Sequence, residues 1–410
     1  MPFEVPEGWR WTTIEDLLIN RDSERIPLSL AVRNKQHKKE YNYYGAAGVI
    51  DKVEGYLFSE RLLLIGEDGA NLLSRAKDNA FFADGKYWVN NHAHVLDCSE
   101  KEVLTYVALV INSMALDPYV TGSAQPKLSQ DNLNKILIPL PPLAEQRRII
   151  YAINNYSVYL SNIENDKKSI ENIIDLLKQL ILNLAISGKL VSQELNDEPA
   201  IELLKRINPS FVPADNRHYE NVPYEVPESW QWVKLKDLCV FLSRGKSPVY
   251  SETDKRYPVF AQKCNLKGGG ISLKEARFLE PSTISKWKDV YKLQDGDILI
   301  NSTGTGTVCR TRLFKSEYLC DYPFVVPDSH VSVIRTYEQI SSEYAYLVLS
   351  SKFSQDYMMD NLAGSTNQKE LYISVLENLL FPLPPLGEQM RIVKCVNKIY
   401  TQLEQISSEL

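Results

Sequence analysis

The side chains of this 410-residue sequence that could do chemistry are few, and none completes a reactive constellation. His92-Ala-His94 would place two imidazoles on one face of a strand, as a metal site requires, yet no third ligand is spaced to join them. Arg244-Gly-Lys-Ser247 has the form of the tail of a phosphate-cradling loop. The first glycine of G-x-x-x-x-G-K-S would fall on Val240, so the match fails. Gly304-Thr-Gly306 lacks the third glycine of a dinucleotide loop, and no H-E-x-x-H occurs. There is no Asn-Pro-Pro-Tyr or Asp-Pro-Pro-Tyr tetrapeptide of the kind that amino-methylating enzymes use to hold adenine. Pro327-Asp328 has no Asp/Glu-x-Lys after it, as a metal-dependent nuclease core would. The expectation is a chain without a catalytic or metal centre of its own. Cys98, Cys239, Cys264, Cys309, Cys320 and Cys395 show no C-x-x-C spacing, which fits reduced thiols.

The elements that carry these residues are written twice. IPLPPLAEQRRI at 138–149 returns as FPLPPLGEQMRI at 381–392, with nine of twelve positions identical. VPEGWRWTTIEDLL at 5–18 returns as VPESWQWVKLKDLC at 226–239, with seven of fourteen identical. GSAQPKL at 122–128 precedes the first proline stretch and GSTNQKEL at 364–371 the second. The bodies between these markers show no convincing alignment, the layout expected of a shared scaffold carrying two different surfaces.

Each proline stretch must lie outside a helix, and a helix starts just after it, with Glu145 or Glu388 in a first turn that suits a negative charge. From there Ile149, Tyr156, Ile163, Ile170, Leu177 and Leu184 recur at seven. So do Ile153, Leu160, Lys167, Ile174 and Ile181, giving a heptad seam with one polar break. Gly188 is a plausible stop, so the helix would span 143–187, roughly 67 Å at about 1.5 Å per residue. The second copy keeps the register through Ile392, Ile399 and Ile406, and through Val396, Leu403 and Leu410. Two arrangements fit: a coiled coil between the copies, or two amphipathic helices each packed on its own domain. The bodies read as β-rich, with short runs at 55–58, 61–65, 86–89 and 296–300 bounded by Gly, Asp and Asn, and with helices at 103–113 and 344–354.

Composition sets the remaining bounds. With 44% hydrophobic residues and this length, two or three globular domains are expected. The net charge of −6 argues against coating nucleic acid by bulk charge, but leaves room for local basic loops. The N-terminal stretch has no basic and apolar signal pattern, and no window is long and apolar enough to span a membrane. A soluble, cytoplasmic protein is expected.

Two variable β-rich domains, each closed by PLPPL-x-EQ and a long heptad helix, resemble the specificity subunit of type I restriction–modification systems. So do Ala185-Ile-Ser-Gly-Lys-Leu190 with Asn196-Asp-Glu-Pro-Ala200 and Glu202-Leu-Leu-Lys205, in the manner of that family's central region. Leu62-Leu-Leu-Ile-Gly-Glu-Asp-Gly-Ala-Asn-Leu72 with Val89-Asn-Asn-His-Ala-His-Val95 is similar to some of its target-recognition domains. Gly296-Asp-Ile-Leu-Ile300 with Ser302-Thr-Gly-Thr-Gly306 looks like the equivalent in the other domain.

The resemblance covers essentially the whole chain. It implies an α+β fold with an internal pseudo-two-fold repeat: target-recognition domain 1 (1–141), a central coiled-coil helix (142–190), a linker (191–225), target-recognition domain 2 (226–384) and a distal helix (385–410), the two helices forming an antiparallel coiled coil. The implied function is non-catalytic: each domain binds one half of a split double-stranded DNA target and the helix pair sets the spacer. Two modification subunits would methylate adenine with S-adenosylmethionine, and restriction subunits would use ATP and Mg to translocate and cleave. The chain departs from the pattern in its distal helix, since only 24 residues follow Leu386. A stand-alone or truncated coiled-coil DNA-binding scaffold, a decoy without a methyltransferase partner, is the alternative.

In that frame the DNA-reading side chains would be donors, acceptors and cations on loops. In the first domain these are Arg21, Arg25, Arg33, Lys35, Lys38 and Lys39, the polar group Asn90, Asn91 and His92, and Ser123, Gln125 and Lys127. In the second they are Arg244, Lys246, Ser302, Thr303, Thr305, Thr307, Arg310, Thr366, Asn367, Gln368 and Lys369. Each could equally be a solvated surface residue, and the recurring Gly-Ser-x-x-Gln-Lys loop could equally be a turn packed on the base of the helix.

Overall fold

The computed structural model describes residues 3–122, 125–209, 211, 222, 224–304, 306–364 and 369–410. The chain divides into two compact units, Met1–Asn165 and Asp166–Leu410.

In the first unit the strands run β1 (Arg10–Thr13), β2 (Ile19–Asn20), β3 (Tyr41–Gly45), β4 (Gly48–Val53), β5 (Leu62–Gly66), β6 (Ala80–Ala83), β7 (Tyr87–Val89), β8 (Ala93–Asp97) and β9 (Leu137–Leu140). The two duplicated sequence markers meet here. β1, from the Trp-rich marker, pairs antiparallel with β9, from the proline stretch, with Trp11 opposite Pro139. A two-stranded ladder tolerates this proline because its outer side has no partner that needs the missing N–H. The main sheet is antiparallel in the order β2-β8-β5-β6, and a smaller sheet is ordered β4-β3-β7 with β3 and β7 parallel. Every residue of β5 is buried. Its alternate side chains go to two cores. Leu63 and Ile65 pack with Leu104, Val107 and Ile111 of helix Lys101–Ser113, while Leu62 and Leu64 pack with Tyr87, Val89 and Val95. A continuous apolar run is what a strand covered on both faces needs.

The second unit holds β10 (Gln231–Lys234), β11 (Cys239–Arg244), β12 (Tyr250–Ser251), β13 (Pro258–Phe260), β14 (Arg277–Leu279), β15 (Ile298–Asn301), β16 (Thr311–Leu313), β17 (Val326–Pro327), β18 (Val331–Thr336) and β19 (Leu380–Leu383). β10 pairs with β19 as β1 does with β9. The main sheet is ordered β11-β18-β15-β16 and the second β12-β14-β13-β17, with β13 and β17 parallel. Order, direction and chain sequence repeat those of the first unit strand for strand, with β12 added. The bodies that do not align as sequences are therefore one topology. What repeats is the alternation of buried positions, as in Ile298 and Ile300 against Leu299 across two cores, and not residue identity.

The helix expected at 344–354 breaks at Ser351, which ends Ser342–Ser350 and caps Lys352–Asp360 by accepting the Ser354 N–H at 3.3 Å. The run at 55–58 forms only an isolated bridge, Phe58 to Tyr87. Within the expected linker 191–225, Ala200–Ile207 is a helix whose Ala200, Leu203 and Leu204 are buried in the core with Trp230. Its i, i+3, i+4 apolar spacing gives it a packing face.

The long helix spans Leu143–Ile186 and belongs to the first unit through Asn165. Within the second unit its remainder runs antiparallel to helix Leu386–Glu409. Tyr400 O–H donates to the Lys178 carbonyl at 2.9 Å, and Lys167 Nζ donates to that of Leu410 at 3.0 Å. Ile174, Leu182, Ala185, Ile392, Val396 and Leu403 are buried, and Ile181 and Ile399 are half-buried. Of the seam residues expected from the heptads, Ile170, Leu177 and Ile406 lie at its margin, 36%, 39% and 49% exposed. In the first unit Ile149 packs on the core, whereas Ile153, Leu160 and Ile163 are exposed and not on a helix–helix seam, because the antiparallel partner extends only to the level of Lys167. Gly188 ends the helix at φ +70°, with Lys189 N–H bonded to the Leu184 carbonyl at 2.9 Å. A Cβ there would meet Pro227 Cγ at 2.5 Å, so only glycine fits.

Candidate nucleic-acid interface

In each unit three loops converge at one end of the main sheet. In the first unit they are residues 67–69 after β5, 90–92 before β8, and 121–122 with 125–127. The backbone ties them: Glu67 N–H to His92 O at 2.9 Å, Leu128 N–H to Glu67 O at 2.7 Å, and reciprocal bonds between Thr121 and Lys127 at 2.8 and 2.7 Å. Asn90 Oδ1 accepts the His92 N–H at 2.8 Å. The second unit repeats each tie. Ser302 N–H bonds to His330 O at 2.8 Å, Leu371 N–H to Ser302 O at 2.8 Å, and Ala363 and Glu370 bond reciprocally at 2.9 and 2.8 Å. Asp328 Oδ1 accepts the His330 N–H at 2.9 Å.

This common frame sets Glu67 against Ser302, Asp68 against Thr303, Asn91 against Ser329, His92 against His330, and Lys127 against Glu370. Lys369 therefore does not take the place of Lys127. The second loop is one residue longer, which moves its lysine one step out of register.

The expected site residues take different places. Asn91, Gln125 and Lys127 are exposed on the first cluster, with Lys127 3.3 Å from Glu67. Asn90 and Ser302 are buried; Asn90 secures the turn at His92, and Ser302 Oγ lies 2.6 Å from Ser332 Oγ. Arg244, Thr303 and Lys369 line one cleft of about 530 Å³ with Gly304, Ser329, His330 and Glu370. Arg244 binds Glu370 and the Leu371 carbonyl. A Cβ on the neighbouring Gly245 would collide with the carbonyl oxygens of Pro327 and Asp328, so glycine is required for β11 to pass that close.

Elsewhere, Arg21 pairs with Glu24 at 2.6 Å and Glu60 at 2.5 Å, and these partners hold its guanidinium pKa above its ordinary value. Arg33 pairs with Asp51 and stacks on Tyr43 at 4.9 Å. Lys39 also reaches Asp51, at 3.3 Å. Lys35 and Lys38 are exposed. Lys246 lies 4.2 Å over the Tyr291 ring, and Arg310 donates to the Asn265 carbonyl at 2.7 Å. Thr307 Oγ1 donates to the Thr303 and Gly304 carbonyls, both at 3.3 Å. Ser123, Thr305, Thr366, Asn367 and Gln368 lie outside the described residues. Asp68, Ser329 and His330 were not singled out from the sequence. Their signal is the triplet Asn-Asn-His or Asp-Ser-His before a strand, which becomes legible only when the two frames are superposed.

Beneath the first cluster lies a charged network. His94 Nδ1 is 2.6 Å from Asp22 Oδ2, and its Nε2 is 2.8 Å from the Leu128 carbonyl. Arg25 contacts Asp22 at 3.2 Å and Glu67 at 2.7 Å. Burial raises the Asp22 carboxyl pKa, but hydrogen bonding and charge from His94, the Val95 N–H and Arg25 outweigh it, so the net shift is downward. Donor atoms of Asp22, Glu67 and His94 lie within 4.8 Å of one another, a spacing open to a metal ion. Arg25 already supplies the positive charge there, which makes the group an ion-pair network. His92 and His94 do not share a site: His92 is exposed and pairs with Asp68, whereas His94 is buried.

The repeated EQ dipeptide is structural. Trp9 Nε1 donates to Glu145 at 3.1 Å and Trp230 Nε1 to Glu388 at 2.8 Å. Gln146 and Gln389 donate to the Pro141 and Pro384 carbonyls at 2.9 and 3.0 Å. Tyr106 and Tyr344 donate to Pro139 and Pro382 at 2.6 and 2.9 Å. These bonds fasten each helix start to its own domain.

Residues 6–172 and 227–410 match the sequence pattern of the type I restriction modification DNA specificity domain. The chain belongs to that family. It is 23% identical over 491 residues to the type I restriction enzyme EcoEI specificity subunit of Escherichia coli, covering 100% of this chain and 80% of that protein. It is 24% identical over 495 residues to the EcoAI specificity subunit of the same species, covering 97% and 78%. Its fold is similar to that of the HsdS subunit from Thermoanaerobacter tengcongensis (TM-score 0.58, 17% identity, 100% and 93% covered). It is also similar to a chain solved in a study of complex assembly and conformational transition of the type I R-M system (TM-score 0.64, 17% identity, 100% and 94% covered). These two solved chains share the fold of this chain over its whole length. Specificity subunits are the non-catalytic members of type I restriction–modification systems, and this chain is one of them. Among the described residues no helix is long and apolar enough to cross a membrane.

Proposed function

We propose that this chain reads a bipartite double-stranded DNA sequence, one half-site per domain, and presents it to two modification subunits that methylate adenine and to restriction subunits. The observation that carries this is the duplicated loop cluster: one scaffold, written twice, bearing different side chains at matched positions. One scaffold fixes the mode of docking, and different side chains give each half-site its own sequence. The antiparallel helices serve as the spacer, because two readers must be held a set fraction of the roughly 34–36 Å DNA turn apart. S-adenosylmethionine, ATP and Mg belong to the partners in this reading.

Most arginines near the clusters are already paired with carboxylates. Phosphate neutralisation therefore falls to Lys35, Lys38 and Lys369 and to the partner subunits, which reconciles DNA binding with a net charge of −6. Co-expression with the modification subunit tests the proposal. A complex with two modification subunits per chain that methylates one bipartite motif is expected. Specific DNA binding by the chain alone, with no such complex, would contradict it.

A further inference from the structure

We infer that His92 and His330 are specificity-determining residues that occupy one position of the duplicated scaffold and offer DNA opposite hydrogen-bonding polarity. This rests on the reading that these loops face DNA. His92 Nδ1 lies 2.6 Å from Asp68 Oδ2. An ionised carboxylate only accepts, so Nδ1 carries the proton, and in the neutral ring Nε2 is a bare acceptor. The His92 side chain is 46% exposed, so that edge is open to a ligand.

His330 Nδ1 lies 3.0 Å from Thr303 Oγ1. Thr303 Oγ1 accepts a hydrogen bond from the Gln262 side-chain amide and, unlike a carboxylate, has a proton of its own to give to Nδ1. When that hydroxyl donates to Nδ1, the His330 ring proton sits on Nε2 and this edge of the ring donates. His330 also lines the open cleft with Arg244, Ser329 and Lys369. The difference arises in the side chain that contacts Nδ1 of each histidine, the matched pair Asp68 and Thr303.

In the major groove an acceptor suits the amino group of adenine or cytosine. A donor suits guanine N7 or O6, adenine N7 or thymine O4. The two half-sites should then differ at the base pair each histidine meets, in the sense these polarities set. Thr303→Asp would give His330 the polarity of His92, since a carboxylate would accept a hydrogen bond from a protonated Nδ1.

Two measurements test this. The first is the methylation motif directed by the chain in complex with its modification subunits, mapped for wild type, His92→Ala, His330→Ala and Thr303→Asp. Each alanine variant is expected to relax discrimination at one base pair of one half-site by roughly tenfold or more. Thr303→Asp is expected to shift His330's base pair toward an amino-bearing base. The unaltered half-site reports that the variant is folded. A wild-type bipartite motif that all three variants reproduce unchanged would overturn the assignment while leaving the proposed function standing. A wild type that directs no motif would remove the functional reading itself.

The second is the side-chain 15N spectrum of histidine-labelled wild-type chain at alkaline pH, which needs no variant. Protonated Nδ1 on one of these rings and protonated Nε2 on the other is expected. The same tautomer on both would overturn the inference.

Discussion

At the scale of single residues, matched positions differ in how much they hold. Trp230 bonds a carboxylate that is fully buried, whereas Trp9 bonds one that is partly open. Burial raises the Glu388 pKa, and the bonds from Trp230 and Gln193 counter that rise. Trp230→Phe is therefore expected to cost about 1.5–3 kcal/mol in urea denaturation, and Trp9→Phe less than about 1 kcal/mol. Equal losses would show that burial does not set the difference.

The Asp22 network carries the pH dependence. The folded pKa of Asp22 lies below its unfolded value, so its contribution is whole above the ordinary carboxylate value of about 3.9. It is lost as pH falls through the lower folded value. Asp22→Asn removes the buried carboxylate that faces both Arg25 and His94 and is expected to destabilise the first unit by about 3 kcal/mol. The variant's stability should then fall less steeply below about pH 4 than the wild type's. An unchanged slope would remove Asp22 from that account. None of this was legible in sequence, because Asp22, Glu67 and His94 are brought together only by the pairing of β2, β5 and β8.

At the scale of elements, the repeated markers were legible and their meaning was not. The sequence shows the Trp-rich and proline stretches as two separate duplications. The structure shows them as the two strands of one ladder, β1 with β9 and β10 with β19. The helix limits were nearly readable, since a proline stop and a glycine stop bound them. Ile174 is buried and Ile181 half-buried, but heptad periodicity cannot say how far a partner reaches, and Ile153, Leu160 and Ile163 are exposed. Ile174→Pro, at 6% exposure and inside the helix, should cost about 3 kcal/mol or more and abolish methylation of the correctly spaced motif. Retained spacing would show that the helix pair is not the ruler.

At the scale of the whole molecule, the duplication extends through bodies whose sequences share no visible alignment. A sheet is specified by which positions are buried, and many residues satisfy that, so topology persists after identity is gone. Recognition then becomes modular. Replacing residues 20–135 with the same region of another family member should change one half of the target and leave the other half and the spacer intact; a change in both halves would contradict modularity.

On the proposed function, this chain alone sets the sequence its partners act on. A long-read map of N6-methyladenine in the source cell, with and without the gene, tests it most directly. One bipartite motif is expected to lose its methylation while all others keep theirs. An unchanged map in a cell that expresses the chain and its modification subunits would contradict it.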